Sequence, residues 1–310
     1  MDNTQQAILA EAFRDALSPE HVHVNEPMSL HTTFKIGGPA QILVEPASVE
    51  EVQAVISLCR NAQVPWRVMG LGSNILASDQ GIPEVIIKLA APMSRVTVSG
   101  DTITAQAGAS NEAVAQAALD ASLAGYEFAS GIPGSIGGAA IMNAGAYNGE
   151  FKDVATSVTC LTPEGSLVQV DAKDACWSYR HSMMMDAGYV VLEAMLRLTP
   201  DSQEEIKARM DDLKQRREDK QPLEMPSAGS TFKRPEGYFA GKLIQDAGMK
   251  GFRIGGAQVS PKHSGFVVNA GDATAADVLA LISAIQDKVF AMEGVHMEPE
   301  VRMWGFSEKE

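Results

Sequence analysis

At 310 residues the chain exceeds the usual size of a single hydrophobic core, so two or three lobes are expected. Its 45% hydrophobic and 21% charged residues are those of a folded globular protein, and a net charge of -14, from 25 basic against 39 acidic residues, argues against nucleic acid as a partner. An anionic small molecule stays open, because a local cluster of Arg, Lys and backbone N–H groups binds phosphate even in an acidic protein.

Residues 1–20 carry Glu11, Arg14 and Asp15 among apolar positions, which fits an N-terminal helix and neither a signal peptide nor a membrane span; a cytoplasmic protein is expected. Residues 40–45 read as a strand ended by Pro46. Ser48 and Glu51 then form a capping signal for a helix carrying Val52, Val55, Ile56 and Cys59 at helical spacing. Trp66 to Met69 reads as a strand running into Gly70-Leu71-Gly72-Ser73-Asn74, and Val85 to Lys88 as another. Val96 to Ala107 predicts a hairpin around Gly100-Asp101, and Glu112 to Leu123 a helix. A second glycine-rich stretch follows, Gly131-Ile132-Pro133-Gly134-Ser135-Ile136-Gly137-Gly138. Beyond it come strands at 154–161, 167–170 and 189–198. A charged helix from Pro200-Asp201-Ser202 to about Lys220 marks the seam into a last lobe. That lobe has a strand at Phe266-Val267-Val268, a helix from Thr274 to Glu293 with Thr274 and Asp277 as its cap, and a closing strand over 300–304.

The first glycine stretch lacks the Gly-Lys-Ser/Thr ending of a P-loop and the third glycine of the dinucleotide fingerprint. Glycine lets a backbone come close to a ligand and aim successive N–H groups at one anion. Two such stretches, each with a serine, suggest a nucleotide pyrophosphate held from two sides, although a glycine-rich packing corner would also account for the second. Cys59, Cys160 and Cys176 are too few for a disulfide framework and lack zinc spacing, so reduced thiols and no metal are expected.

In collinear order from about His31 to Trp304, the chain carries His31-Thr32-Thr33-Phe34-Lys35-Ile36-Gly37-Gly38, both glycine stretches, Asn143-Ala144-Gly145-Ala146-Tyr147, Ser178-Tyr179-Arg180-His181-Ser182 and Ala228-Gly229-Ser230-Thr231-Phe232-Lys233. The series continues through Gly251-Phe252-Arg253-Ile254-Gly255-Gly256-Ala257 and Glu298-Pro299-Glu300-Val301. With this ordered set the chain resembles the UDP-N-acetylenolpyruvoylglucosamine reductase family. The resemblance implies an α+β fold, with a two-lobed FAD-binding domain of the vanillyl-alcohol-oxidase type and a smaller α+β substrate-binding domain. Boundaries are expected at 1–20 for the N-terminal helix, 21–200 for the FAD region with lobes of about 21–90 and 91–200, 201–299 for the substrate domain, and 300–310 for a returning strand. The short Tyr179 to Gly188 connection and Arg234 resemble the compact subtype.

The activity implied is NADPH-dependent, FAD-mediated reduction of UDP-N-acetylglucosamine enolpyruvate, with non-covalent FAD, in a monomer that engages neither membrane nor nucleic acid. Negative charge then develops beside the substrate carboxylate, which calls for a cation there and a proton donor. The resemblance assigns Arg180 to the charge, Ser230 to the proton and Glu300, if protonated, to polarising the carboxylate. It places Gly70, Leu71, Gly72, Ser73, Asn74, Gly131, Ile132, Pro133, Gly134, Ser135, Gly138, Asn143 and Gly145 at FAD. Tyr179, Arg180, Lys233, Arg234 and Lys242 go to substrate, with Lys262 or His263 left open. The alternatives are an FAD-dependent alcohol or sugar oxidase, and a non-catalytic nucleotide-binding protein. Such oxidases often attach flavin through a histidine of the glycine loop, and residues 70–79 hold neither His nor Cys.

Overall fold

Local capping chemistry sets where the longer helices begin. In the computed structural model, which describes residues 1–306, Ser48 Oγ accepts the Glu51 N–H at 3.2 Å and starts the helix Val49–Asn61. The Glu51 carboxylate takes the N–H of Ala47 at 2.7 Å, so the expected box is displaced by one residue. Thr274 and Asp277 form a fully reciprocal box at the start of Ala275–Glu293, and Gly294 ends that helix in the left-handed region at φ 67°. Gly100, at φ 60°, turns the expected hairpin between Val96–Ser99 and Thr102–Gln106. The helix expected over 112–123 spans Asn111–Asp120 instead. Ser122 turns left-handed at φ 58°, and Leu123–Ala124 pairs with Thr199–Pro200.

The largest sheet has five strands in the order Leu167–Asp171, Ala155–Leu161, Val190–Arg197, Thr102–Gln106, Val96–Ser99, each pair antiparallel. A four-stranded sheet runs Val22–Pro27, Pro39–Val44, Ile82–Lys88, Trp66–Met69, and its last pair is parallel. A second four-stranded sheet, Ser227–Ser230, Phe266–Asn269, Ala257–Val259, Arg253–Ile254, is antiparallel. The closing strand covers Arg302–Trp304 rather than 300–304 and lies parallel to Ile75–Ala77. The part of the expected 300–310 segment beyond Phe306 lies outside the described residues.

The chain divides into two compact units, one of Met1–Val24, Ile42–Leu71 and Glu84–Arg216, the other of Asn25–Gln41, Gly72–Pro83 and the chain from Arg217 onward. The first unit holds two cores. One packs Val52, Val55, Ile56 and Cys59 of the helix Val49–Asn61 against Val85 and Ile87, and the other packs Tyr126, Ile136 and Phe151 with Val158, Val191 and Leu196 of the five-stranded sheet. The second unit has one core, built from Val278, Leu281, Ile282 and Ile285 of the last helix with Val259, Val267, Phe34 and Leu76. Each fully buried aliphatic or aromatic side chain contributes about 1.5–3 kcal/mol. Burial pushes the Cys59 and Cys160 thiols up to about 12, so both behave as small apolar groups. Among the described residues no helix is long and apolar enough to cross a membrane, and no cluster of His, Cys, Asp and Glu is arranged to hold a metal.

Candidate active site

Ser135 is the point at which the two glycine stretches meet. It is 2% exposed, and its Oγ has no hydrogen-bond partner among the described residues. A Cβ added at Gly70 would overlap that oxygen, so a side chain there would require the Ser135 hydroxyl to turn aside; from Gly138 the same oxygen is 3.8 Å from an added Cβ. A buried hydroxyl left without a partner costs about 1–3 kcal/mol, so the site as built calls for a ligand acceptor or donor at this position. This orphaned oxygen, with a glycine on either side, fits a pyrophosphate group.

Behind the second stretch stands a polar support that the sequence reading missed. Buried Tyr126 donates to Asn111 Oδ1 at 2.8 Å, Asn111 Nδ2 donates to the Ile132 carbonyl at 3.3 Å, and the Asn111 N–H donates to the Gly134 carbonyl at 3.1 Å. Burial drives the Tyr126 phenol far above its usual value, so it stays a neutral donor. The N–H groups of Ile136 and Gly137 bond the carbonyls of Ala109 and Ala107, both at 2.9 Å. The stretch expected to be a loop continues into a short helix, Ile136–Met142, despite its two glycines.

In the first stretch Gly72 serves the backbone: at φ 67° an added Cβ would overlap the His31 carbonyl oxygen. Asn74 Nδ2 donates to the Glu300 carbonyl at 3.1 Å, and the Arg302 N–H returns a bond to the Asn74 carbonyl at 2.9 Å. Asn143 is likewise engaged within the protein. Its Nδ2 bonds Glu150 Oε2 and the Ser178 carbonyl, both at 3.1 Å, and its Oδ1 accepts the Lys152 N–H at 3.0 Å.

Arg180 sits at the tip of a tight turn in which the His181 N–H reaches the Ser178 carbonyl at 3.3 Å and the Ser178 N–H the His181 carbonyl at 3.1 Å. Its φ is 57°, its guanidinium lies 5.0 Å from the Tyr179 ring centroid, and Nη2 is 3.5 Å from the Gly145 carbonyl. Tyr179 is about half exposed. The Lys152 ammonium, then the Asn143 amide and the charge of Arg180, hold the Glu150 carboxyl below the usual range against a burial effect of opposite sign, so it is ionised.

Ser230 ends the strand Ser227–Ser230 and pairs with Phe266. Its neighbour Thr231 takes the Glu300 N–H on its carbonyl at 2.8 Å, and Phe232 bridges to Pro299, which brings the segments of Ser230 and Glu300 side by side. The His31 motif supports this arrangement: Thr33 Oγ1 donates to the Ser227 carbonyl at 2.7 Å, and Asn269 Nδ2 to the Phe34 carbonyl at 3.4 Å.

The cations picked out from sequence are largely compensated. Lys233 pairs with Glu298, Lys242 pairs with Asp246 at 2.5 Å on an exposed face, and Arg234 stacks 4.4 Å from the Phe239 ring centroid. A different basic group emerges around His263. Burial, with the charges of Lys250 and Lys220, holds the imidazole below its usual value, while Nδ1 accepts the Gly265 N–H at 3.1 Å. Lys262 is the next residue in the chain, its Nζ donating to the Glu218 carbonyl at 2.5 Å. Lys220 and Lys250 carried no motif of their own, because only folding brings them to His263.

Residues 40–171 match the FAD binding domain family, and residues 221–304 match UDP-N-acetylenolpyruvoylglucosamine reductase, C-terminal domain. A UDP-N-acetylenolpyruvoylglucosamine reductase of Syntrophomonas wolfei is 47% identical over 291 residues, covering 94% of this chain and 97% of the relative. That of Agathobacter rectalis is 51% identical over 293 residues, covering 91% and 93%. The chain belongs to the UDP-N-acetylenolpyruvoylglucosamine reductase family.

Among solved structures, the enzyme of that name from Thermus caldophilus superposes with a TM-score of 0.79 at 34% identity, covering 91% of this chain and 98% of that one. p-Cresol methylhydroxylase shares the fold alone, with a TM-score of 0.51 at 13% identity over 65% of this chain and 44% of its own. The α+β fold with an FAD-binding domain of this type is therefore as expected, and the chain is a flavin-dependent oxidoreductase.

Proposed function

We infer that the chain reduces UDP-N-acetylglucosamine enolpyruvate to UDP-N-acetylmuramate with NADPH as reductant, as a cytoplasmic step of peptidoglycan precursor synthesis. The observation that carries this reading is the Ser230 and Glu300 pairing through Thr231, at 2.8 Å between the Glu300 nitrogen and the Thr231 carbonyl oxygen. It puts a hydroxyl and a carboxyl, the two proton-bearing groups the reaction asks for, on adjoining segments. The Ser135 hydroxyl and the backbone beside Gly70 and Gly138 would hold the FAD pyrophosphate. When bound, FAD supplies the two-electron carrier between NADPH and the enolpyruvyl carbon.

The protein's part is to manage charge and one proton. As a hydride reaches the terminal enolpyruvyl carbon and the double bond opens, negative charge develops on the carbon bearing the carboxylate and spreads onto the carboxylate itself. The resemblance gives Arg180, permanently cationic and planar, the role of gripping that carboxylate, and gives Glu300, in its protonated form, that of donating to it. The Ser230 hydroxyl would deliver its proton to the carbon bearing the carboxylate, completing the lactyl ether. Arg234 and Lys242 are suited to the UDP diphosphate, and Lys220 and Lys250 add positive charge around His263, beside Lys262.

Ser230→Ala tests the assignment. Flavin reduction by NADPH stays nearly intact, while reoxidation by the enolpyruvyl substrate slows by about a hundredfold or more. Equal loss in both half-reactions would remove Ser230 from the proton step. A flavin that stays attached after acid precipitation would favour the oxidase reading.

A further inference from the structure

We propose that Asn143 is the positioning residue for Arg180, holding the turn that presents the guanidinium instead of touching the flavin; this rests on the reductase reading above.

Asn143 closes the helix Ile136–Met142 in the left-handed region at φ 43°, a conformation that asparagine tolerates better than most residues. Its side chain is wholly buried, and three of its hydrogen-bonding positions are taken inside the protein. One bond reaches the Ser178 carbonyl, the same oxygen that closes the Arg180 turn by accepting the His181 N–H. The other two hold Glu150 and the Lys152 backbone, and the Glu150 carboxylate in turn meets the Lys152 ammonium at 2.5 Å and feels the charge of Arg180. Asn143 thereby ties three segments together: the helix end, the turn before Lys152, and the turn that carries Tyr179 and Arg180.

The Arg180 turn needs such a tether. At φ 57° Arg180 lies in a region that residues other than glycine, asparagine and aspartate seldom occupy, so the tip is held by its surroundings and not by its own preference. Around it the sequence is held by donors aimed at the helix Ile136–Met142. Trp177 Nε1 donates to the Ala140 carbonyl at 2.7 Å and Ser182 Oγ to the Ile141 carbonyl at 2.8 Å, which fixes both flanks, and the Asn143 amide holds the Ser178 carbonyl between them. A displacement of the order of an ångström at a positioning group costs about a hundredfold in rate.

The test uses the FAD-loaded full chain with Asn143→Gly, which keeps the left-handed backbone and removes the amide, and Asn143→Asp, which keeps the acceptor for the Lys152 N–H and removes both donors. The expected result for both has four parts. Flavin content and flavin reduction by NADPH stay at wild-type levels. Reoxidation by the enolpyruvyl substrate slows by about tenfold to a hundredfold. Hydrogen-exchange protection of the His181 amide falls. Adding Arg180→Lys costs little more than Arg180→Lys alone, since both changes act on one group.

Loss of flavin, equal slowing of both half-reactions, or full additivity with Arg180→Lys would each overturn the proposal. If one variant does not fold, the other carries the same readouts, and failure of both to fold would make Asn143 a residue of the fold alone and overturn it too. If Arg180→Lys itself leaves reoxidation unchanged, the reductase reading of Arg180 fails first. If Arg180→Lys is severe and the Asn143 variants are not, only this inference fails.

Discussion

The segments carrying Arg180 and Ser230 are held in opposite ways. Ser230 belongs to a ladder: its strand pairs with Phe266–Asn269, the Thr231 N–H bonds the Gly265 carbonyl at 2.9 Å, Thr231 Oγ1 accepts the Val267 N–H at 2.9 Å, and the Lys233 N–H bonds the Glu298 carbonyl at 2.9 Å. Arg180 occupies a turn tip in a left-handed conformation, tied to distant segments by side-chain bonds from Asn143, Trp177 and Ser182. Repeated backbone bonds make a position insensitive to any single side chain; a turn held through side-chain bonds is more sensitive to each. Substitutions around Ser230, the proposed proton donor, and Arg180, the proposed carboxylate clamp, should therefore differ in effect.

The largest effects fall on the groups themselves. Arg180→Lys replaces a planar fork by a point charge and should slow substrate-driven flavin reoxidation by about a hundredfold or more, comparable with Ser230→Ala, in single-turnover absorbance traces. A loss below about threefold would show that the clamp does not need its fork.

Ser135→Ala comes next and separates the bound from the free protein. Removing an unpartnered buried hydroxyl should leave the flavin-free protein as stable or stabilise it by about 1–3 kcal/mol, while flavin affinity falls by about tenfold. Thermal unfolding with and without FAD checks both signs. Destabilisation of the flavin-free form would mean that the hydroxyl has a partner in the protein.

Asn74→Ala breaks the comparison most directly. It removes the bond to the Glu300 carbonyl, yet Glu300 keeps its N–H bond to Thr231 and the strand Arg302–Trp304 keeps its pairing with Ile75–Ala77. Turnover should fall by no more than about threefold, well short of the loss at Asn143→Gly. Equal losses at Asn74 and Asn143 would erase the distinction between ladder and turn.

The smallest effect is in pH. Burial and the neighbouring lysines depress the His263 pKa in the folded state, so protonation favours the unfolded chain. His263 therefore costs no stability above about pH 6.5, its unfolded value, and the cost appears as pH falls through and below that point. His263→Asn, which can keep the acceptor for the Gly265 N–H, should flatten that part of the stability curve measured by urea unfolding.

Much of the fold could be read from local signals. Apolar periodicity and caps placed Val49–Asn61 and Ala275–Glu293, and alternation placed Ala155–Leu161 and Val190–Arg197. Ser227–Ser230 was not legible, because Ser-Ala-Gly-Ser has no alternation and is a strand only through its pairing with Phe266–Asn269. Glycine density concealed the helix Ile136–Met142 for a similar reason: the stretch is anchored from outside by Ala107 and Ala109. At the site, the side chains with reactive chemistry stood out in their motifs. The work of Asn74, Asn111 and Asn143 did not, since a carboxamide looks the same in sequence whether it meets a ligand or a distant backbone carbonyl. Of the basic group around His263, the resemblance had already left Lys262 and His263 open, whereas Lys220 and Lys250 lacked any motif and meet His263 only through folding.

The most direct measurement of the central claim is anaerobic and spectral. The purified flavoprotein is reduced with NADPH, UDP-N-acetylglucosamine enolpyruvate is added, and the flavin absorbance is followed. The account predicts bleaching by NADPH and rapid return of the oxidised spectrum on adding the enolpyruvyl compound, with UDP-N-acetylmuramate formed in equal amount. A flavin that NADPH bleaches but only oxygen restores would contradict it.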